Sequence, residues 1–156
     1  MARFWYGQGI TQVLLGAINL KTADIRVAAL MSATTCDTEF DVANLAAFTA
    51  MDEPTGTGYA RASLVAQNLT YTTVPDRRVE AKSSPVTLIS NAGATGFGSV
   101  QAYLVFFNTG TDATSVPLIY DSTPALFPVT INATDNLKVT FTGDTWTYGQ
   151  SDPLPA

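Results

Sequence analysis

The second half of the chain is a succession of short segments in which apolar and polar residues alternate, each bounded by residues that favour turns. Alternation with a period of two is typical of half-buried β-strands. Such segments, recurring at intervals of about 8–12 residues, predict an antiparallel β-sandwich or jelly roll. The predicted strands are Tyr59–Val65, Leu69–Val74, Arg77–Lys82, Val86–Ser90, Val100–Phe107, Val116–Tyr120, Phe127–Ile131 and Leu137–Thr142.

The first half adds one strand and one or two short helices. Ile25–Met31 is the predicted strand. The apolar residues Val13, Leu14, Ala17 and Ile18 have the spacing of one helical face, which predicts a short helix over Thr11–Gly16. The Thr-rich, acidic stretch Ser32–Glu53 is predicted to be a long loop that contains one short helix. Val100–Phe107 is the most apolar strand, which places it at the centre of a sheet.

A chain of 156 residues is expected to form one domain. We expect a single β-sandwich over residues 1–156, with an aromatic N-terminal arm at 1–9 and an extended C-terminal tail at 145–156. The tail ends in Asp-Pro-Leu-Pro-Ala, and its prolines cannot occupy a central strand.

Composition excludes several kinds of chemistry. The chain has no histidine, which removes Ser-His and Cys-His nucleophiles and histidine-built metal sites. Its one cysteine, Cys36, has no internal partner for a disulfide, and we interpret it as a small buried apolar residue. Only 13% of the residues are charged, against about 25% in a typical soluble domain. The surface must therefore be covered by neutral hydroxyls and amides or hidden against partners.

Charge and hydropathy argue against nucleic acid and membranes as partners. The net charge is −5, and the one adjacent basic pair, Arg77 and Arg78, has Glu80 beside it, whereas phosphate binding needs clustered cations. The longest apolar run, Ala102–Phe107, is far shorter than the roughly 20 residues of a membrane helix. No targeting segment is evident at the start of the sequence.

Three groups of residues suggest ligand sites, and each has a simpler interpretation. The glycines Gly93, Gly96 and Gly98 lack the order and the following helix of a phosphate loop, so we expect a flexible connection between strands. The alternating carboxylates Asp37, Glu39 and Asp41 lack the glycine and terminal glutamate of a calcium loop. The neighbours Asp52 and Glu53 are expected to point apart on a solvated turn, which is unsuitable for glycoside hydrolysis. We therefore predict no catalytic residue, metal or cofactor.

The aromatic residues at the two ends are the most unusual feature. Both tryptophans of the chain lie there, and the set consists of Phe4, Trp5, Tyr6, Trp146 and Tyr148. These residues either close the ends of the protein's own sandwich or anchor it to another subunit, because tryptophan and tyrosine dominate interface hot spots. We predict that they bind a partner.

The order of elements resembles small structural proteins of tailed bacteriophages, of the capsid decoration or cement class. The resemblance spans roughly residues 10–140 and rests on order and turn type. After a short apolar helix, it is carried by Gly16–Leu30, by Gly56-Thr57-Gly58-Tyr59-Ala60-Arg61, by Val100–Asn108 running into Thr109-Gly110-Thr111, and by Pro117-Leu118-Ile119. The longer insertion between Met31 and Pro54 and the aromatic ends depart from that pattern.

The resemblance implies a non-enzymatic virion protein with a β-sandwich or jelly-roll fold. Such a protein binds the outer surface of an assembled head, bridges neighbouring major capsid subunits, and forms a homodimer or homotrimer. Two alternatives stay open. One is a head-fibre or tail-associated virion module, and the other is a carbohydrate-binding β-sandwich in which Trp5, Trp146 and Tyr148 form a platform for sugars.

Overall fold

The computed structural model describes residues 3–64, 68–72, 78–82, 84–90, 95–123 and 127–139. Across these ranges the chain forms eleven strands, one α-helix and one 3₁₀ turn. The strands are β1 (Arg3–Trp5), β2 (Ile25–Leu30), β3 (Ala62–Ser63), β4 (Asn68–Thr72), β5 (Arg78–Lys82), β6 (Val86–Ile89), β7 (Gly98–Val100), β8 (Ala102–Phe107), β9 (Val116–Asp121), β10 (Val129–Ile131) and β11 (Leu137–Val139). The helix α1 spans Gly7–Leu14 and the 3₁₀ turn spans Leu45–Ala47.

The fold is mainly β and antiparallel, as the alternating segments predict. Five strands form the largest sheet in the order β1-β9-β8-β2-β3, and three further pairs are β7-β10, β6-β11 and β4-β5. Every pairing is antiparallel. This arrangement is compatible with the predicted β-sandwich.

Strand β8 lies at the centre of the five-stranded sheet, which confirms the prediction from its apolar sequence. Val105 is paired with Val27 of β2 on one side and with Ile119 of β9 on the other. The five residues from Ala102 to Phe106 are all buried. Since successive side chains of a strand point to opposite faces, both faces of this sheet must be covered.

One face of the sheet packs on the smaller strand pairs and forms what we call the first core. From the sheet it contains Val27, Ala29, Tyr103 and Val105, which alternate with residues of the other face. The facing strands β6, β7, β10 and β11 contribute Val86, Leu88, Ile89, Val100, Ile131, Leu137 and Val139. Two β layers therefore enclose this core.

The other face is covered by residues 31–52, which we call the covering loop. The first and last residues of the loop lie side by side, because the Met31 N–H donates to the Asp52 carbonyl at 2.7 Å. Its apolar residues join the sheet in a second core, which contains Cys36, Leu45 and Phe48 from the loop and Ala28, Leu30, Ala102, Leu104, Phe106 and Tyr120 from the sheet. The acidic, Thr-rich stretch is thus a structural layer, and its predicted short helix is the 3₁₀ turn.

Residues 3–9 of the predicted N-terminal arm are part of the fold, since they include strand β1 and the start of helix α1. Strand β1 pairs with β9, with Phe4 opposite Tyr120 and Trp5 opposite Ile119. Helix α1 begins at Gly7, so the prediction of a helix over Thr11–Gly16 was wrong by four residues at its start. Gly7 and Gly9, which follow the three aromatic residues in the sequence, both lie within the helix.

Gly9 allows α1 to lie directly on strand β9. A Cβ atom at position 9 would lie 2.3 Å from the Pro117 carbonyl oxygen and 3.1 Å from the Leu118 Cα. Both atoms belong to backbone, so a side chain there requires the helix to move away from the sheet. The glycine is therefore needed for its small size, although glycine weakens a helix by itself.

The connection before β7 is also set by close backbone packing. Gly96 has a φ of +67°, and a Cβ there would lie 2.4 Å from the Ile131 carbonyl oxygen. The Phe97 N–H donates to that same carbonyl at 3.0 Å. Residues 95–98 are thus fixed against β10, whereas a flexible connection was expected; Gly93 lies outside the described residues.

We predict that Gly9→Ala lowers the free energy of unfolding by about 1–3 kcal/mol, because the added methyl group overlaps the β9 backbone. Gly7→Ala is the matched control, since its Cβ would be 3.8 Å from the nearest atom, Asp41 Oδ1. The control should be neutral or slightly stabilising through helix propensity. Urea unfolding of the two variants tests this, and equal stabilities would contradict the close helix–sheet contact.

Candidate functional site: a partner-binding surface

Of the five aromatic residues predicted to bind a partner, the structure describes three. Phe4 and Tyr6 face the second core, and Trp5 lies between them and packs against the first core. This alternation follows from the strand geometry of β1. Trp146 and Tyr148 lie outside the described residues, so their role in binding a partner stays a prediction.

Tyr6 is an internal connection between the sheet and the covering loop. Its side chain is 0% exposed, and its hydroxyl donates to the Cys36 carbonyl at 2.5 Å. Its ring meets Phe48 edge-on at 5.5 Å between centroids. Burial raises the pKa of the Tyr6 hydroxyl, which therefore stays protonated as a donor. The Tyr6 side chain is thus engaged within its own domain and is not accessible to a partner.

An exposed aromatic residue that sequence reasoning did not select lies next to Phe4. Phe40 is 47% exposed and meets Phe4 edge-on at 4.9 Å. Phe4 in turn stacks on Tyr120 at 5.3 Å and meets Tyr6 at 5.1 Å. An aromatic row therefore runs from the second core to the surface, with Phe40 at its outer end. The available signal was a single phenylalanine between the two acidic residues Glu39 and Asp41.

The end of α1 presents a second apolar feature that sequence reasoning missed. Leu14 is 61% exposed and Leu15 is 79% exposed. Leu14 was included in the predicted apolar face of the helix, with Val13, but only Val13 packs against the first core. Gly9 and Val13 are four residues apart and share the face of α1 that packs inward, which leaves Leu14 and Leu15 outside. Adjacent exposed leucines are suited to docking on another apolar surface.

A cleft of about 410 Å³ opens at one end of the five-stranded sheet, where β2 and β9 end and β8 begins. Its walls combine apolar and neutral polar side chains, and one carboxylate lies among them. The lining consists of Met31, Ser32, Thr34, Asp37, Gln101, Tyr120, Ser122, Phe127 and Pro128. Burial raises the pKa of Tyr120, so its hydroxyl stays protonated at neutral pH.

A second cleft of about 470 Å³ shares Met31 and Ser32 with the first. Its two carboxylates already have structural roles. Asp52 accepts a hydrogen bond from the Ala33 N–H at 2.6 Å, and Glu53 is paired with Arg61. Asp52 and Glu53 therefore bind different groups, as expected for neighbours that point apart. The expectation of a solvated turn was wrong for Glu53, because its side chain is largely buried.

Arg61 joins three separate segments of the chain. Its guanidinium contacts Glu53 at 2.6 Å from Nη2 to Oε1 and Asp112 at 2.8 Å from Nη2 to Oδ2, and Nη1 is also bound to Asp112. Its Cζ lies 5.2 Å from the centre of the Phe106 ring. The hydrogen bond from Arg61 lowers the pKa of Asp112, and burial partly offsets that effect. The cluster fixes Glu53, the residue that follows the covering loop, and the turn after β8 to one side chain.

The buried carboxylate of Asp121 is fully engaged as well. Arg3 Nε donates to Oδ2 at 2.6 Å, the Tyr103 hydroxyl donates to the same oxygen at 2.6 Å, and the Thr123 N–H donates to Oδ1 at 2.8 Å. Burial and the bond to Asp121 raise the pKa of Tyr103. A buried charge with this many donors is a structural element that ties β1 to β9 and β8.

The alternating carboxylates of the covering loop do not form a metal site. Among the residues that the structure describes, no three metal-ligating side chains are placed to hold an ion together. Glu39 accepts from the Thr35 hydroxyl at 2.6 Å and the Thr49 N–H at 2.9 Å, and these bonds lower its pKa. Asp37 and Asp41 are exposed.

Cys36 is buried and unpaired, which confirms its interpretation as a small apolar residue. Burial raises the pKa of its thiol to about 11. At neutral pH the thiol is therefore protonated, and thiols in that form are poor nucleophiles.

The chain matches no known family model, no curated protein and no solved structure. None of its described helices has the length and apolar character needed to cross a membrane. The geometry therefore has to be interpreted from the residues themselves.

We predict that Tyr6→Phe lowers the free energy of unfolding by about 1–2 kcal/mol, because the buried Cys36 carbonyl loses its donor. The covering loop should also loosen, so Cys36 should react faster with a disulfide reagent at pH 8. The chain has one cysteine, so the rate reports this site alone. Complete reaction in guanidinium is the control, and an unchanged rate together with an unchanged stability would contradict the role of Tyr6.

We predict that Asp112→Asn lowers the free energy of unfolding by about 1 kcal/mol at pH 7, since it weakens the bonds to Arg61. The folded-state pKa of Asp112 is below its unfolded value, so its contribution is present above about pH 4. The contribution is lost as the pH falls through the folded pKa. Urea unfolding at pH 7 and pH 2.5 should therefore show the difference from wild type at the higher pH only.

The control for this experiment is Asp41→Asn, since Asp41 has no ion-pair partner among the described residues. It should differ little from wild type at either pH. An Asp112→Asn effect of equal size at both pH values would show that packing, and not the ion pair, is responsible.

Proposed function

We propose that the chain is a non-enzymatic structural protein of a virion, which docks on the outer surface of the capsid and cements neighbouring subunits of the major capsid protein. The observation that carries the proposal is the presence of three large apolar side chains, Leu14, Leu15 and Phe40, exposed on a surface with few charges. The order of elements that resembles phage decoration proteins supplies the identity of the partner.

The engagement of the ionisable side chains supports a binding role. Glu53, Asp112 and Asp121 hold arginines, and Glu39 and Asp52 accept bonds within the covering loop. The first cleft contains a single carboxylate among its described residues, whereas glycoside hydrolysis uses a pair of carboxyl groups. These groups stabilise the fold, and the exposed apolar residues are left for contact with other proteins.

Such a role needs area and repetition more than chemistry. A protein that binds the assembled shell and not its free subunits shifts the equilibrium toward the shell by mass action. Self-association into a dimer or trimer would add avidity, because each copy then holds its neighbours at a lattice site. The leucine pair at the end of α1 is suited to that self-contact.

Glycan binding has less support from the described residues. Trp5, the described member of the suggested sugar platform, is half-buried and packs against the first core. A flat aromatic face for stacking on a sugar is therefore not provided by Trp5 in this structure.

We expect the chain to co-sediment with assembled shells of the major capsid protein that is its partner under this proposal. The double variant Leu14→Ser/Leu15→Ser should lower the affinity for the shells, or the self-association measured by light scattering, by about tenfold or more. The matched control is Ala46→Ser/Ala47→Ser, an exposed adjacent pair on the covering loop, and it should change neither. Failure of the wild-type chain to sediment with shells at micromolar concentration would reject the proposal.

A further inference from the structure

The first cleft has the chemistry of a receptor for a cationic side chain. One wall carries a carboxylate, Asp37, and no other charged residue lies among the described lining. The apolar surface comes from Met31, Phe127 and Pro128 and from the Tyr120 ring. Lysine and arginine combine a long apolar stem with a charged head, so they match a cleft that is apolar along its walls and negative at one point.

Asp37 is available for such a contact. The described ion pairs engage Arg3, Arg26 and Arg61 with Asp24, Glu53, Asp112 and Asp121, and Asp37 is in none of them. Its side chain is exposed, and no hydrogen bond from a described residue engages its carboxylate. A partner cation would therefore not have to displace an internal one.

The aromatic side chains that line the cleft are held in place by other rings. Tyr120 is held by stacking on Phe4, and Phe127 meets Tyr103 edge-on at 5.7 Å between ring centroids. Rings fixed in this way lose little conformational entropy when a ligand binds. Tyr120 and Phe127 are only 4% and 8% exposed, so they give the cleft a rigid apolar lining against the stem of a long side chain.

Phe40 lies close to the same surface through the aromatic row. It packs on Phe4, which stacks on the cleft residue Tyr120. The surface therefore places an apolar projection near a depression that carries a negative charge. The second cleft lacks this combination, because Asp52 and Glu53 are already engaged within the chain.

We propose that this cleft receives a lysine or arginine side chain of the protein on which the chain docks, with Asp37 as its ion-pair partner and Phe40 as the adjacent apolar contact. The assignment of this basic side chain to a capsid subunit rests on the proposed function. The preference of the cleft for a cationic side chain is independent of it. The inference goes beyond the cementing role because it identifies which surface faces the shell and which residue type that shell must present.

The chemistry is tested first with N-acetyl-L-argininamide as the probe, by following the Met31 methyl signal in NMR spectra of the full chain. We expect a saturable shift in the millimolar range that weakens as salt is added. Asp37→Asn should abolish it, whereas Asp41→Asn, which removes the same charge from the same loop outside the cleft, should keep it within about twofold. N-acetyl-L-glutaminamide, a neutral probe, should give no saturable shift. No saturation with the arginine probe, or an equal effect of the two variants, would overturn the proposal.

The source is tested with the assembled shells. Asp37→Asn and Phe40→Ser should each lower the affinity for shells by about tenfold, and Asp41→Asn by less than threefold. If wild type and Asp37→Asn bind shells equally, the cleft is not the contact and this inference fails while the cementing role stands. If wild type does not bind shells, the cementing role fails and with it the assignment of the partner, and the arginine titration decides the chemistry of the cleft separately.

Discussion

The structure depends on the burial of both faces of the five-stranded sheet. Along β2, Val27 and Ala29 enter the first core, and Ala28 and Leu30 enter the second. A sheet with two apolar faces is stable in water only if each face has a cover. The smaller strand pairs cover one face, and the irregular covering loop covers the other. The abundance of threonine in residues 31–52 follows from the use of a loop for this second cover.

A loop that covers a core must find partners for its backbone groups, because it has no ladder of its own. The Thr35 N–H donates to the Ala50 carbonyl at 2.8 Å, and the Leu45 N–H donates to the Ser115 carbonyl at 2.9 Å. Side-chain hydroxyls supply further bonds, since Thr35 Oγ1 contacts both Glu39 and the Ala50 backbone. Threonine in this segment is therefore used for local hydrogen bonding, in addition to its preference for strands elsewhere.

The fold class could be predicted from the sequence because alternation reports burial directly. Strand β8 was placed at the centre from its apolar run, and β2 was predicted to within one residue of its end. The site could not be predicted in the same way, because exposure is decided by how elements meet. Gly9 is the contact between α1 and Pro117, and this packing decides which face of the helix turns inward and leaves Leu14 and Leu15 exposed.

The aromatic residues at the N-terminus show the same limit of local reasoning. Phe4, Trp5 and Tyr6 are adjacent in sequence and therefore suggested a common role. Strand geometry sends Trp5 to one core and its two neighbours to the other, and the Tyr6 hydroxyl meets a carbonyl 30 positions along the chain. That pairing could not be found from spacing, since nothing local at Cys36 indicates a carbonyl without a ladder partner.

The scarcity of charge has a physical consequence for partner binding. Four described carboxylates are paired with arginines, and three of these, Glu53, Asp112 and Asp121, join segments that are separate in the sequence. An exposed carboxylate without such a partner then has a disproportionate effect on the local potential, because few neighbouring charges compete with it. Asp37 is in that position at the mouth of an otherwise neutral cleft. In a surface of hydroxyls and amides, one such charge is sufficient to set the orientation of a docking partner, while the apolar contacts supply the affinity.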